Sequence, residues 1–181
     1  MNRGHPPRWT APSTMILLDP HLEASATADA PKAALAKRAG ASRPNADSKA
    51  TPRDFRLPSA RTLSRFLAKA QHAVRLKGQV TVLLTTDAAI RKLNRQFRGE
   101  NKATDVLSFP ASGVGAEGVT GDLAISVTTA LGQAAEQGHS LSTEIKVLVL
   151  HGLLHLAGYD DTTPSLAKEM GAAQEKLLRR L

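Results

Sequence analysis

Between residues 59 and 181 the apolar positions change period several times, and each change marks an element. Leu63, Phe66, Leu67, Ala70 and Val74 keep the three- and four-residue spacing of an amphipathic helix, predicted over Ser59–Leu76 and ended by Gly78. Gln79–Thr86 is aliphatic and β-branched and predicts a strand; Asp87 is placed to cap a helix running to about Phe97, with Ile90 and Leu93 inward. Asp105–Phe109 predicts another strand, closed by Pro110. A glycine-rich loop over Gly113–Gly121 leads to a further strand, Asp122–Val127, and then a helix over about Thr129–Gln137. Thr143–Ala157 is apolar on nearly every side and predicts a buried helix. Its run Ile145–Leu150 also suits a strand, but length and the spacing of two histidines favour helix. Thr163-Pro164 opens a last helix, with Leu166, Met170, Ala173 and Leu177 on one face.

With Met15–Asp19 as a short first strand, these elements predict an α+β or α/β layered domain. A small mixed four-stranded sheet packs with about five helices. Residues 1–14 carry Arg3, Arg8, three prolines and no acid, and read as a flexible extension. Met15 is an alternative start; an organellar transit peptide is a lesser reading, because no amphipathic helix is evident. Residues 15–22 hold the first strand. Residues 23–57 have few large apolar side chains and read as a disordered insertion, with a transient helix over Pro31–Arg38. The main domain occupies residues 58–181.

Composition narrows the function. With 181 residues and no cysteine, the chain has length for one core and no disulfides or Cys-rich metal knuckles. No apolar stretch reaches the roughly 20 residues that span a bilayer, so the expectation is a soluble protein with no membrane partner, and the lack of cysteine fits a reducing compartment, taken as the cytoplasm. A formal net charge of +8 points to a polyanion, nucleic acid foremost. Aromatic residues make up 3% of the chain, which favours recognition led by the phosphate backbone over a stacking platform.

The densest chemistry lies in His151-Gly-Leu-Leu-His155-Leu-Ala-Gly158-Tyr-Asp160-Asp161. Two imidazoles four residues apart share a helix face, and Gly158 suits the turn that ends the helix. Asp160 and Asp161 can then fold back toward the histidines. Two His and one carboxylate, with a position left open, form a catalytic zinc ligand set. The bland alternatives are core histidines and an Asp161 that caps the next helix. Zinc peptidases place Glu directly after the first His; here that residue is Gly152, so their proton acceptor is missing. A second constellation, Phe97-Arg98-Gly99-Glu100-Asn101-Lys102-Ala103-Thr104-Asp105, sets a guanidinium on a turn, suited to a phosphate or simply to helix carbonyls. His139 reads as a surface residue.

Taken together, FRGENKATDVLSFP (97–110), GDLAIS (121–126) and HGLLHLAGYDD (151–161) resemble the bacterial rRNA-maturation endoribonucleases of the YbeY type. The resemblance implies a single domain, one zinc ion, and cleavage of single-stranded RNA. The setting it implies is 16S rRNA 3′-end maturation and ribosome quality control, on the small subunit and with ribosomal proteins as possible partners. It assigns metal binding to His151, His155 and Asp161, and catalysis to Arg98, with Lys102 assisting at longer range. The alternatives are a ribosome-assembly RNA-binding factor with a structural metal and, less favoured, a zinc metallopeptidase.

Three departures stand out. The family pattern ends Gly-Tyr-Asp-His, and its third ligand is that final His, where this chain has Asp161; Asp160 is the alternative donor. Ala103 replaces the family's usual Pro, and the 23–57 insertion is absent from compact relatives. Other divalent ions also suit mixed His and carboxylate donors. A carboxylate in place of a neutral imidazole lowers the site's net charge by one and makes the bound ion a weaker Lewis acid. Asp161→His is therefore expected to move the acid limb of the pH–rate profile for RNA cleavage to lower pH. A limb that stays in place defeats the idea.

Overall fold

The computed structural model describes residues 15–20, 22, 56–111 and 118–181. The 1–14 extension, nearly all of the 23–57 insertion with its Pro31–Arg38 helix, and part of the Gly113–Gly121 loop lie outside the described residues.

The elements are β1 (Met15–Leu18), α1 (Ala60–Ala73), β2 (Gln79–Thr85), α2 (Asp87–Arg98), β3 (Val106–Pro110), β4 (Val119–Ser126), α3 (Val127–Gln137), α4 (Leu141–Leu156) and α5 (Pro164–Leu178). The chain is an α+β protein, and its sheet runs in the order β1-β2-β4-β3. β1, β2 and β4 are parallel, and β3 is antiparallel to β4, which makes the sheet mixed as expected.

The strand pleat divides the core. From β2 and β4, Val80, Val82, Leu84, Leu123 and Ile125 face α1 and α4, meeting Leu63, Leu67, Ile145, Val149 and Leu153 in the main cluster. Leu107, Phe109 and Ala124 face the other way, against Ile90, Leu93 and Phe97 of α2. Leu57, at the last position assigned to the insertion, packs on the main cluster.

Several caps differ from expectation. Thr86, not Asp87, caps α2 through its side chain, and Asp87 accepts hydrogen bonds from the Ser126 and Thr129 hydroxyls, joining α2 to α3. α3 and α4 start about two residues early because Ser126 and Ser140 cap them. β4 begins at Val119, before Asp122, because pairing with β2 extends to Gln79. Thr163 caps α5 with Pro164 at its first turn, as the sequence predicts. Leu166 lies on the exposed side of α5, while Met170 is buried. His139 is half-buried: its Nε2 stands 3.0 Å from a carboxylate oxygen of buried Glu144. Burial pushes the Glu144 carboxyl above its ordinary range, the His139 charge opposes this, and Asp105 adds to it.

Two close approaches set α4 on the sheet. A Cβ on Gly152 would stand 2.8 Å from Leu123 Cδ2 and 3.3 Å from Ser108 Oγ, and the Ser108 hydroxyl donates to the Gly152 carbonyl oxygen at 3.3 Å. A Cβ on Gly121 would stand 2.5 Å from the Phe109 carbonyl oxygen and 2.9 Å from Leu156 Cδ2. The carbonyl belongs to the paired strand and has little freedom to retreat. Gly121→Ala is expected to cost at least about 1–3 kcal/mol, the usual penalty of overpacking, and to lower the urea midpoint. An unchanged midpoint would show that the β3–β4 pair can open without loss.

Candidate metal centre

The last turns of α4 carry both histidines on one face, while Leu148, Val149, Leu153 and Leu154 hold the helix in the core. His151 Nε2 and His155 Nε2 lie 3.1 Å apart. After Ala157 the chain turns at Gly158, whose φ of 93° lies in the left-handed region that favours glycine. Asp161 then returns its Oδ2 to 3.8 Å from His151 Nε2 and 3.7 Å from His155 Nε2. Among the described residues, these three form the one His/Asp/Glu cluster whose donor atoms all lie within 4.8 Å of one another.

Hydrogen bonds on the far side of each ring fix what the near side offers. His151 Nδ1 lies 3.0 Å from Gln174 Oε1, and His155 Nδ1 lies 3.1 Å from the Tyr159 carbonyl oxygen. Both partners are carbonyl oxygens, which only accept, so a neutral ring held this way carries its proton on Nδ1 and turns its Nε2 lone pair toward the cluster. Two ring nitrogens and a carboxylate oxygen converge there, a donor set suited to a cation. Tetrahedral zinc with bonds of about 2.0–2.2 Å needs donors about 3.3–3.6 Å apart. The observed separations of 3.1, 3.7 and 3.8 Å bracket that range, so the residues fit the ion.

Asp160, the alternative donor, is engaged elsewhere. Its Oδ1 accepts from the backbone N–H of Asp161 at 2.8 Å and of Thr162 at 3.2 Å, and its Oδ2 accepts from the Thr162 hydroxyl at 2.7 Å. The Thr162 hydroxyl chiefly, with the two N–H groups, holds the Asp160 carboxyl below the usual carboxylate range. This turn aims Asp161. Gly152, where a peptidase would need Glu, faces Leu123 and the sheet with no room for a side chain.

Arg98 does not join the cluster. It is the last residue of α2, followed by Gly99 in the left-handed conformation at φ 79°, and its guanidinium is exposed. It nevertheless lies at the same end of the sheet. Phe97 packs edge-on against Phe109 with ring centroids 5.3 Å apart, Pro110 pairs with Gly121, and Gly121 touches Leu156 beside His155. The loop after Arg98 is tied down by buried Asn94, whose amide donates to the Lys102 carbonyl oxygen at 2.9 Å, and by Arg91, which donates to Asn101 at 2.9 Å. Lys102 pairs with Glu100 at 2.8 Å, so its charge is partly matched.

Sequence reasoning missed Gln174, Thr162 and Asn94. Gln174 left one trace, being a polar residue four positions from both Met170 and Leu178 on the inward face of α5.

Fold and site together define an α+β protein with a His-His-Asp cluster able to hold a cation. The family model for Endoribonuclease YbeY matches residues 46–181, and the chain belongs to that family. It is 47% identical over 123 residues to an endoribonuclease YbeY of Koribacter versatilis, covering 68% of this chain and 78% of the relative. To the Moorella thermoacetica protein of the same name it is 46% identical over 129 residues, covering 65% and 83%. A solution structure of a Thermotoga maritima protein is similar with a TM-score of 0.50 and 31% identity, covering 68% of this chain and 83% of that one.

Because Asp160 shapes the turn that carries Asp161, Asp160→Ala is expected to weaken zinc binding and, with its three hydrogen bonds lost, to lower the melting midpoint of the metal-free protein only slightly. Titration calorimetry checks the first and thermal unfolding the second. Equal zinc affinity in variant and wild type removes the role.

Proposed function

We propose that the chain is a metal-dependent endoribonuclease that cuts single-stranded RNA, acting in the cytoplasm on ribosomal RNA in 3′-end maturation of the small-subunit RNA and in ribosome quality control. The observation that carries this reading is the convergence of two Nε2 lone pairs and the Asp161 carboxylate at the end of a buried helix. Family membership and the +8 net charge support it. No helix among the described residues is long and apolar enough to cross a membrane.

In this reading His151, His155 and Asp161 hold zinc or another divalent ion, which when bound supplies positive charge that polarises the phosphodiester and makes water more acidic. The remaining chemistry falls to the chain. Arg98, exposed at the end of α2, presents its planar fork of donors to phosphate oxygens and stabilises the extra negative charge at phosphorus. Asn94 anchors the loop that follows that guanidinium. The α4 histidines keep their Nδ1 protons on Gln174 and Tyr159, so neither ring acts as a proton donor toward substrate through Nε2.

Cleavage of single-stranded RNA by the purified full chain tests the proposal, beside elemental analysis. Wild type is expected to carry about one zinc per chain. His155→Ala loses metal and cleavage together. Arg98→Ala keeps the metal and slows cleavage on the order of 10²-fold or more, the usual loss for one electrostatic donor. Cleavage untouched by both substitutions would mark a contaminating nuclease and sink the reading.

A further inference from the structure

The two imidazoles are held in unlike ways. His155 donates to the carbonyl oxygen of Tyr159, four residues on in the same turn, so its orientation is built into the end of α4 and no side-chain substitution removes it. His151 donates to Gln174 Oε1, a side chain 23 positions later on a different helix. That contact exists only while α5 is docked, and docking rests on Met170, buried to 2% exposure, with Leu177 and Leu178 against the main core.

We infer that Gln174 is a positioning residue for the metal centre: it selects the Nδ1–H tautomer of His151 and so makes cation binding conditional on the packing of the C-terminal helix. The inference rests on the metal-site reading above. An unrestrained neutral imidazole can place its proton on either nitrogen. A proton on His151 Nε2 would point at His155 and Asp161 and block the very atom the ion needs. A hydrogen-bond acceptor behind Nδ1 removes that competing form and raises the donor strength of Nε2, the service that carboxylates and carbonyls give to metal-bound histidines generally. Reciprocity follows. If α5 docking favours the ion, the ion favours α5 docking by the same factor.

Three measurements on the full chain test this. Long-range 15N–1H correlation spectra of the metal-free wild type are expected to show His151 protonated at Nδ1; a predominant Nε2–H form overturns the inference without any variant. Zinc titration against a chromophoric chelator is expected to give Gln174→Leu a Kd about 10–100-fold weaker than wild type, the usual range for such partners. Gln174→Glu, which still accepts, should bind at least as tightly as wild type. Hydrogen exchange should slow across α5 when zinc is added to wild type, and respond less in Gln174→Leu. Equal zinc affinity in wild type and Gln174→Leu overturns this inference alone. A wild type that takes up no zinc overturns the metal site and this inference with it.

Discussion

The depth at which α4 sits against the sheet governs most of what lies around it. Gly152 has no Cβ, so the helix approaches β3 and β4 until Leu123 and Ser108 are in contact with its backbone. The same turns carry His151 and His155 on the adjoining face. A larger residue at 152 would lift the last two turns off the sheet and carry both imidazoles with them. The site's geometry is therefore a packing result: burial of Ile145, Val149 and Leu153 sets the helix, and the helix sets where the two imidazoles stand.

The sequence made the layout legible because the signals were local. Periodicity in α1 and α4, the β-branched run of β2 and the Thr163-Pro164 opening all act within a few residues of themselves. The His pair needed only the helical repeat. Signals failed where a tertiary partner decided the outcome. Asp87 has the composition of a cap, but Thr86 reaches Ala89 N–H first, and the Asp87 carboxylate goes to Ser126 and Thr129 about forty residues away. His139 looked like a surface residue because nothing nearby in sequence shows that Glu144 is buried against it. Gln174 showed only as a polar residue on the inward face of α5; its pairing with His151 depends on how α5 docks on α4, which only the fold defines.

Arg98 illustrates the middle case. Its place at a helix end followed by glycine was readable, and so was its fitness for a phosphate. That it shares an end of the sheet with His155 required the antiparallel turn of β3 onto β4, which brings Pro110 beside Gly121 and Gly121 beside Leu156. Two motifs about fifty residues apart in sequence become neighbours through one strand pairing, and neither motif encodes that pairing.

The outer strands carry a different consequence. A sheet's unpaired margin is a template on which another chain can polymerise. Here one margin is β1, only four residues long, and the other is β3, five residues ending at Pro110, which has no N–H to offer. Among the described residues, strand addition therefore meets few consecutive backbone donors on either margin, which blunts the sheet as a template for another chain.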